Sequence, residues 1–129
     1  MGARQSTVDA EGRTPLKLAV DLNLLETAKF LVESGSDVFI AARDGKTAAE
    51  IALDKGENAV KALFSGTAIN ARDTSGNTIL HYAAKQGNAS LISLLLSMGA
   101  NKTVKNIAAE SPAEIAQRWR NTEAAALLN

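Results

Sequence analysis

A chain of 129 residues with only 4% aromatic residues has the length of one domain and must build its core from Ala, Leu, Ile and Val. Lysine plus arginine number 14, as do aspartate plus glutamate, and this balance argues against duplex binding, which needs a concentrated basic face. The absence of cysteine excludes disulfides, thiol nucleophiles and thiolate metal sites. Because alanine and leucine are strong helix formers, the composition predicts an all-α protein.

The chain begins with "MGARQSTV", which lacks the apolar centre of a signal peptide. We expect residues 1–8 to be disordered or tag-like. No apolar run along the chain reaches the length needed to cross a membrane, so we expect no membrane partner and favour a cytoplasmic location.

The sequence then repeats itself four times. Gly45 follows Gly12 by 33 residues, Gly76 follows after 31 more, and Ala109 after another 33. Two residues beyond each of these positions stands a hydroxyl side chain, in the order Thr14, Thr47, Thr78 and Ser111. A fixed period of this length indicates a repeat architecture, in which each copy is one supersecondary unit.

Each copy contains the signals of a helical hairpin. Thr78 follows a Gly-containing turn and is placed to cap a first helix by accepting a backbone N–H. Pro15 and Pro112 stand at the first helical position, where no donor is lost. The first helix is predicted to end in the left-handed conformation at three equivalent positions, Asn23, Gly56 and Gly87. A second helix follows with an apolar stripe, formed in the third copy by Leu91, Ile92, Leu95 and Leu96.

This pattern resembles the ankyrin repeat, whose consensus runs D-x-x-G-x-T-P-L-H-x-A-A with a period of about 33 residues. The third copy, "DTSGNTILHYAAKQGNASLISLLLSMGAN", matches closely, and the first matches with Lys17 in the histidine place. The resemblance implies an ankyrin-repeat solenoid of about four helix-turn-helix repeats with short hairpin turns. We interpret residues 1–129 as a single domain with repeats at 9–41, 42–72 (shortened), 73–105 and 106–129 (a degenerate C-terminal cap).

The first repeat is expected to be uncapped. Eight residues precede Asp9, too few for a capping helix, so the apolar side of this repeat is expected to be open. We therefore expect the chain to be part of a longer protein, or this end to be covered by a partner or a second molecule.

His81 is the only histidine, and it raises the question of catalysis or metal binding. A triad needs a nucleophile and an orienting acid, and zinc needs three or four ligands, yet the chain has neither a second histidine nor a cysteine. Lys17, Glu50 and Glu114 occupy the same place in the other copies, and a structural position tolerates such exchange better than a chemical one. We interpret His81 as structural, bonded to the turn backbone or to Thr78.

Other signals of chemistry are weak. Glu50 and Glu114 lie two repeats apart, which at the spacing of packed helices separates them by roughly 20 Å, too far to act on one bond. The stretch "DGKT" at 44–47 has no upstream glycine to complete a phosphate-binding loop. We predict no enzyme activity, no catalytic residues, no metal site and no cofactor.

The resemblance implies a partner-binding surface instead. In this family, partners usually contact the turn tips and the exposed sides of the first helices, which line a concave groove. Carried over by register, this surface comprises Arg13, Asp21, Leu22, Arg43, Lys46, Asp54, Lys55, Thr74, Ser75, Asn77, Lys85, Gln86, Ile107, Glu110, Arg118 and Trp119.

Trp119, the only tryptophan, has two interpretations. As an aromatic anchor beside Arg118 and Arg120, it belongs to the residue types enriched at interaction hot spots. Alternatively, the degenerate final repeat shifts register and packs the indole against its closing helix, because terminal repeats are atypical. The second interpretation is slightly favoured by the sequence.

The function predicted from these observations is a non-catalytic protein–protein interaction module. Its partner is another protein, not nucleic acid. The alternative is homotypic or intramolecular assembly through the uncapped N-terminal repeat, which makes the chain a monomer or a weak homo-oligomer.

Overall fold

The computed structural model describes residue 10, residues 12–64 and residues 69–129. Within these ranges the chain forms eight α-helices and no β-strand: α1 (Pro15–Asp21), α2 (Leu25–Glu33), α3 (Ala48–Lys55), α4 (Glu57–Phe64), α5 (Ile79–Gln86), α6 (Ala89–Ser97), α7 (Pro112–Arg118) and α8 (Thr122–Leu128). The predicted all-α class is confirmed. The expectation of a disordered or tag-like segment at residues 1–8 lies outside the described residues.

The chain divides into two compact units, Met1–Ser65 and Gly66–Asn129, called here the N-terminal and the C-terminal unit. Each unit contains two helical hairpins that stack in the same way. In the N-terminal unit, α1 packs against α2 and α3, and α2 packs against α4. In the C-terminal unit, α5 packs against α6 and α7, and α6 packs against α8. First helices therefore contact first helices, and second helices contact second helices.

The first helices begin where the hydroxyl residues predict. The side chain of Thr14 accepts a hydrogen bond from the backbone N–H of Lys17 at 3.1 Å, and Pro15 opens α1. Thr47 and Glu50 form a reciprocal capping box at the start of α3, and Ser111 forms one with Glu114 before α7. These caps satisfy backbone donors that have no partner within the helix.

The ends of the first helices differ between repeats. Asn23 (φ 60°) and Gly87 (φ 80°) lie in the left-handed region, as predicted. Gly56 has φ 107° but ψ −158°, so its backbone is not left-handed, and α4 begins at the next residue. The turn between α3 and α4 is thus a single residue, whereas two residues separate α5 from α6. This short turn accounts for part of the length missing from the second repeat.

The core of the third repeat combines a pair of small residues on its first helix with aliphatic residues on both helices. Ala83 and Ala84 on α5 are completely buried, as are Ile92 and Leu95 on α6. Small side chains allow neighbouring hairpins to approach closely, and the aliphatic residues fill the space between the two layers. No helix in the described ranges has the length and apolar character required to span a bilayer.

Candidate functional site

Each unit contains an open cleft between its two first helices and the turns that precede them. The C-terminal cleft has a volume of about 170 Å³ and is lined by Asn77, His81, Tyr82, Lys85, Asn106, Glu110, Ile115, Arg118 and Trp119. The N-terminal cleft, of about 240 Å³, is lined by Arg13, Lys17, Asp21, Ala42, Asp44, Lys46 and Ile51. Six of the positions that line the N-terminal cleft have a counterpart 64 residues later that lines the C-terminal cleft. Arg13, for example, corresponds to Asn77. The clefts are therefore equivalent sites in the repeat register.

His81 forms part of the floor of the C-terminal cleft and is 1% exposed. Its Nδ1 accepts the backbone N–H of Thr78 at 3.1 Å, so the ring proton lies on Nε2, which donates to the carbonyl oxygen of Glu110 at 2.9 Å. Burial is the main cause that lowers the pKa of His81 below its ordinary value. The imidazole is neutral, and both of its nitrogens join backbone groups, as expected of a structural histidine.

Hydrogen bonds between the two turns hold the upper edge of this cleft. The backbone N–H of Ile107 donates to the carbonyl of Ser75 at 2.9 Å. The Asn106 side chain donates to the Asn77 side-chain oxygen at 2.8 Å and accepts the backbone N–H of Glu110 at 3.0 Å. The turns are therefore linked to each other before any ligand binds.

The opposite edge is formed by the ends of α5 and α7. Trp119 is the C-cap residue of α7 and is 50% exposed. The Nζ atom of Lys85 lies 4.9 Å from the centre of its ring, within the range of a cation–π interaction. Arg118 forms an ion pair with Glu110 at 2.9 Å. The exposed indole favours the anchor interpretation of Trp119 over burial in the last repeat.

Four residues that line the C-terminal cleft were absent from the predicted surface: His81, Tyr82, Asn106 and Ile115. Tyr82 donates its hydroxyl to the carboxylate of Asp73 at the preceding turn. The sequence could have indicated Tyr82 and Ile115 as lining residues. Each follows the histidine position of its repeat, His81 or Glu114, by one residue. That position faces the cleft in both copies of the C-terminal unit.

The N-terminal cleft has a buried ammonium in the place of the imidazole. The Lys17 side chain is 4% exposed, and its Nζ lies 3.4 Å from Asp21 and 3.6 Å from Asp44. The pKa of Asp44 is lowered chiefly by the hydrogen bond from the backbone N–H of Lys46, with a smaller contribution from the Lys17 charge. A lysine is tolerated in this position because two carboxylates offset its charge.

The two units differ in charge at equivalent positions in and beside their clefts. The helix-end positions carry Asp21 and Asp54 in the N-terminal unit and Lys85 and Arg118 in the C-terminal unit. The turn positions carry Arg13 and Lys46 in the N-terminal unit and Asn77 and Glu110 in the C-terminal unit. The charge is therefore reversed at three of the four equivalent positions, and at the fourth a neutral amide, Asn77, stands in the place of Arg13.

The structure brings half of the predicted surface residues into these clefts. Arg13, Asp21 and Lys46 line the N-terminal cleft, whereas the C-terminal cleft receives Asn77, Lys85, Glu110, Arg118 and Trp119. Asp54 lies 3.9 Å from Lys46. The remaining residues are exposed but line neither cleft: Leu22, Arg43, Lys55, Thr74, Ser75, Gln86 and Ile107. A continuous groove across all four repeats stays a prediction.

Two acidic side chains outside the clefts cap the N-termini of first helices. Glu50 and Glu114 accept backbone N–H groups in their own capping boxes, and this bonding to Ser111 lowers the pKa of Glu114. Over the described ranges, no group of three or more His, Cys, Asp or Glu side chains has the arrangement of a metal site.

Family comparisons agree with this architecture. The model for ankyrin repeats in three copies matches residues 47–128, and the model for a single ankyrin repeat matches residues 11–43. The chain is 35% identical over 111 residues to the putative E3 ubiquitin-protein ligase XBAT35 of Arabidopsis thaliana. It is 33% identical over 128 residues to Rabankyrin-5 of Mus musculus, and 30% identical over 112 residues to a transient receptor potential cation channel subfamily A member 1 homolog of Caenorhabditis elegans.

These alignments cover 85%, 88% and 84% of this chain, respectively, but only 18%, 11% and 9% of the relatives' own lengths. The similarity is thus confined to a small part of much longer proteins. The matched family models, the two stacked hairpins in each unit and the T-x-L-H motif at Thr78–His81 lead to one conclusion. The chain belongs to the ankyrin repeat family.

Proposed function

We propose that this chain is a non-catalytic protein–protein interaction module that binds through its turn tips and first helices. Ankyrin repeats generally mediate contacts between proteins. The observation that carries the proposal is the half-exposed indole of Trp119 at the rim of the C-terminal cleft. A large aromatic side chain left exposed beside two cationic residues, Lys85 and Arg118, has the composition of an interaction hot spot.

The internal bonding of the cleft supports binding by a preformed surface. His81, Asn106 and the backbone of Ile107 fix the two turns and α5 to one another. A surface held in this way loses little conformational entropy when a partner arrives, and more of the contact energy becomes affinity.

The named activities of the relatives are not part of this proposal. One relative is called a putative ubiquitin ligase and another a cation channel homolog, but the alignments cover less than a fifth of either protein. What we transfer is the binding role of the shared repeats. In this chain, they would recruit or hold another protein.

Quantitative affinity capture tests the proposal. The immobilised chain is incubated with a cell lysate, and retained proteins are compared between the wild type and a double variant, Lys85→Ala with Trp119→Ala. The matched control is Lys61→Ala, which removes an exposed lysine from α4 on a second helix. Circular dichroism of each variant verifies that the fold is retained.

We expect a defined set of proteins to be retained by the wild type and by the Lys61 control but lost from the double variant. Equal retention by all three folded proteins would contradict binding through the C-terminal cleft. Loss of the same proteins from a folded Lys46→Ala variant, but not from the double variant, would assign the contact to the N-terminal cleft.

A second candidate function is assembly with another copy of this chain through the first repeat. On α2, Ala28 is fully buried, while Phe30 is 66% exposed. Leu22 and Leu24, just before this helix, are 60% and 50% exposed. Large apolar side chains grouped on one repeat favour association, because burying them removes apolar surface from water.

Sedimentation velocity over a concentration range tests this second candidate. We expect self-association of the wild type that weakens in the variant Phe30→Ser with Leu24→Ser. A wild type that remains monomeric at the highest concentration, or a variant that associates equally, would contradict assembly through this face.

A further inference from the structure

The C-terminal cleft carries an ammonium group that no carboxylate in the described ranges neutralises. Lys85 is exposed at the end of α5, and its Nζ is positioned over the Trp119 ring rather than beside an acid. Glu110 is the carboxylate that lines the cleft, and Arg118 already pairs with it at 2.9 Å. The lining therefore retains one positive charge.

Both oxygens of the Glu110 carboxylate have internal partners. Arg118 contacts Oε2, and the Asn106 side chain donates to Oε1 at 3.4 Å. The Arg118 side chain is 59% exposed, and its contact with Glu110 is made by one terminal nitrogen. Its other N–H groups remain available, since a guanidinium has five donors. The cleft can therefore offer donors from both Lys85 and Arg118 to an incoming anion.

Apolar surface lies directly beside these donors. Trp119 exposes half of its area at the rim, and Ile115 is a buried aliphatic residue in the lining. The cleft volume of about 170 Å³ is suited to one or two side chains rather than to a large ligand. The cationic groups and the apolar surface therefore lie side by side within one small cleft.

We propose that the C-terminal cleft binds a protein segment in which an acidic side chain stands next to a bulky apolar one. The carboxylate pairs with Lys85 and the available N–H groups of Arg118, and the apolar side chain packs against Trp119 above Ile115. This inference rests on the proposed protein-binding function and specifies the chemistry of the partner. The lining carboxylate of Glu110 disfavours a polyanion such as single-stranded RNA, which would place several phosphates near it.

The N-terminal cleft is an internal comparison for this selectivity. At the position equivalent to Lys85 its lining carries Asp21, and Asp54, equivalent to Arg118, lies outside the lining. An acidic segment bound there would have to pair with the turn bases Arg13 and Lys46, so a loss of affinity in Lys85→Gln assigns the segment to the C-terminal cleft.

The test begins with selection of random displayed peptides against the full chain. Selected peptides are then titrated while fluorescence is recorded from Trp119, the only tryptophan in the sequence. The variants are Lys85→Gln and Trp119→Phe, with Lys61→Gln as the matched lysine control. Affinities for Lys85→Gln and Lys61→Gln are read from the same indole signal, and calorimetry is used for Trp119→Phe. Unfolding in urea verifies that each variant is folded.

We expect selected peptides to be enriched in Asp or Glu adjacent to Leu, Ile, Phe or Met. Their affinity should fall by about tenfold or more in Lys85→Gln, remain unchanged in Lys61→Gln, and fall in parallel when the peptide acid is replaced by its amide. Trp119→Phe, which retains an aromatic ring, should bind more weakly than the wild type but better than an alanine variant.

The outcomes separate this inference from the proposed function. Peptides that need Trp119 but show no acidic preference, or that bind Lys85→Gln normally, would overturn the inference and leave protein binding intact. Recovery of no binding peptide, together with unchanged capture in the double variant above, would overturn both. Binding of a labelled oligouridylate with the same dependence on Lys85 and Trp119 would overturn the choice of a protein partner.

Discussion

The Nε2 atom of His81 lies 2.9 Å from the carbonyl oxygen of Glu110, so one side chain joins α5 to the turn that precedes α7. The same ring accepts the backbone N–H of Thr78 through Nδ1 at 3.1 Å. The His81 side chain is 1% exposed; its bond to Thr78 is buried, and its bond to Glu110 is partly buried. Within the C-terminal unit, His81 therefore stabilises the helix start and the contact between adjacent hairpins together.

Replacing His81 should destabilise the protein in a pH-dependent way. His81→Ala removes one buried and one partly buried hydrogen bond and leaves a cavity, and we expect a loss of about 2–4 kcal/mol in the free energy of unfolding. In the wild type, burial lowers the pKa of His81 below the unfolded value of 6.5, so the unfolded chain binds the extra proton. The stability that comes from burying a neutral imidazole is complete above pH 6.5, and it is lost as the pH falls toward the pKa of His81 in the folded protein.

Urea unfolding between pH 5 and pH 8 measures this effect, with His81→Gln as the control that cannot titrate in this range. The stability difference between the wild type and His81→Gln should shrink as the pH falls below 6.5. A difference that stays constant, or that grows at low pH, would rule out a buried neutral histidine.

The local structure around His81 was predictable from sequence, but its long-range partner was not. The hydroxyl at Thr78 and the repeat motif predict a capped helix start and a bond between Thr78 and His81. The acceptor at Glu110 lies 29 residues away, and it depends on how two turns stack. Repeat register fixes equivalent backbone positions, and for this reason the predicted first-helix positions agree with the structure. The side chains of Thr14, Thr47 and Ser111 accept backbone N–H groups as predicted, whereas the Thr78 hydroxyl bonds the His81 ring.

The side-chain partners within the clefts could not be predicted from the sequence. Long side chains on a surface can adopt many rotamers. The repeat register therefore does not predict that Lys85 lies over Trp119 or that Arg118 pairs with Glu110. The degenerate last repeat added a second obstacle, because the sequence slightly favoured packing of the Trp119 indole against the closing helix, whereas the side chain is half-exposed.

Gly87 should be more sensitive to substitution than a glycine with similar backbone angles. Its φ is 80°, and an added Cβ would lie 2.6 Å from Cγ of Asn121. The Asn121 amide donates to the carbonyls of Ala84 and Lys85 at 2.8 and 2.9 Å, and these bonds would be displaced. We expect Gly87→Ala to lower the free energy of unfolding by about 2–4 kcal/mol, measured by urea denaturation.

Gly45→Ala is the matched control for this substitution. Gly45 has φ 81°, but an added Cβ would meet nothing within 4 Å. Its replacement should therefore show only the backbone strain, about 1–2 kcal/mol. Equal losses for the two variants would indicate that the contact with Asn121 contributes nothing.

The buried ammonium of Lys17 should make two surface carboxylates important for stability. Asp21 and Asp44 lie 3.4 and 3.6 Å from Nζ, and changing both to Asn leaves the charge without a partner. We expect Asp21→Asn with Asp44→Asn to lower the free energy of unfolding by more than Lys17→Met does. Lys17→Met, which removes the buried charge itself, should change it by only about 1 kcal/mol.

A double-mutant cycle distinguishes this charge effect from lost packing. In the Lys17→Met background, the two Asp→Asn changes should have almost no effect, because there is no ammonium left to neutralise. The same loss in both backgrounds would mean that Asp21 and Asp44 act through other contacts.

Ala109 offers a route to a more stable protein. Its φ is 64°, in the left-handed region, whereas the equivalent positions Gly45 and Gly76 are glycines with φ 81° and 79°. A left-handed alanine carries about 1–2 kcal/mol of strain, and glycine adds about 0.5–1 kcal/mol of unfolded-state entropy. Ala109→Gly should therefore raise the free energy of unfolding by about 0.5–1 kcal/mol.

Thermal unfolding measures this gain, which corresponds to an increase in Tm of roughly 2–5 °C. Ala108→Gly is the matched control: Ala108 is an exposed neighbour in the same turn and does not have a positive φ. Glycine there relieves no strain and adds unfolded-state entropy, so its Tm should fall slightly. If both variants shift Tm in the same direction, the backbone angle of Ala109 is not what limits the stability of this turn.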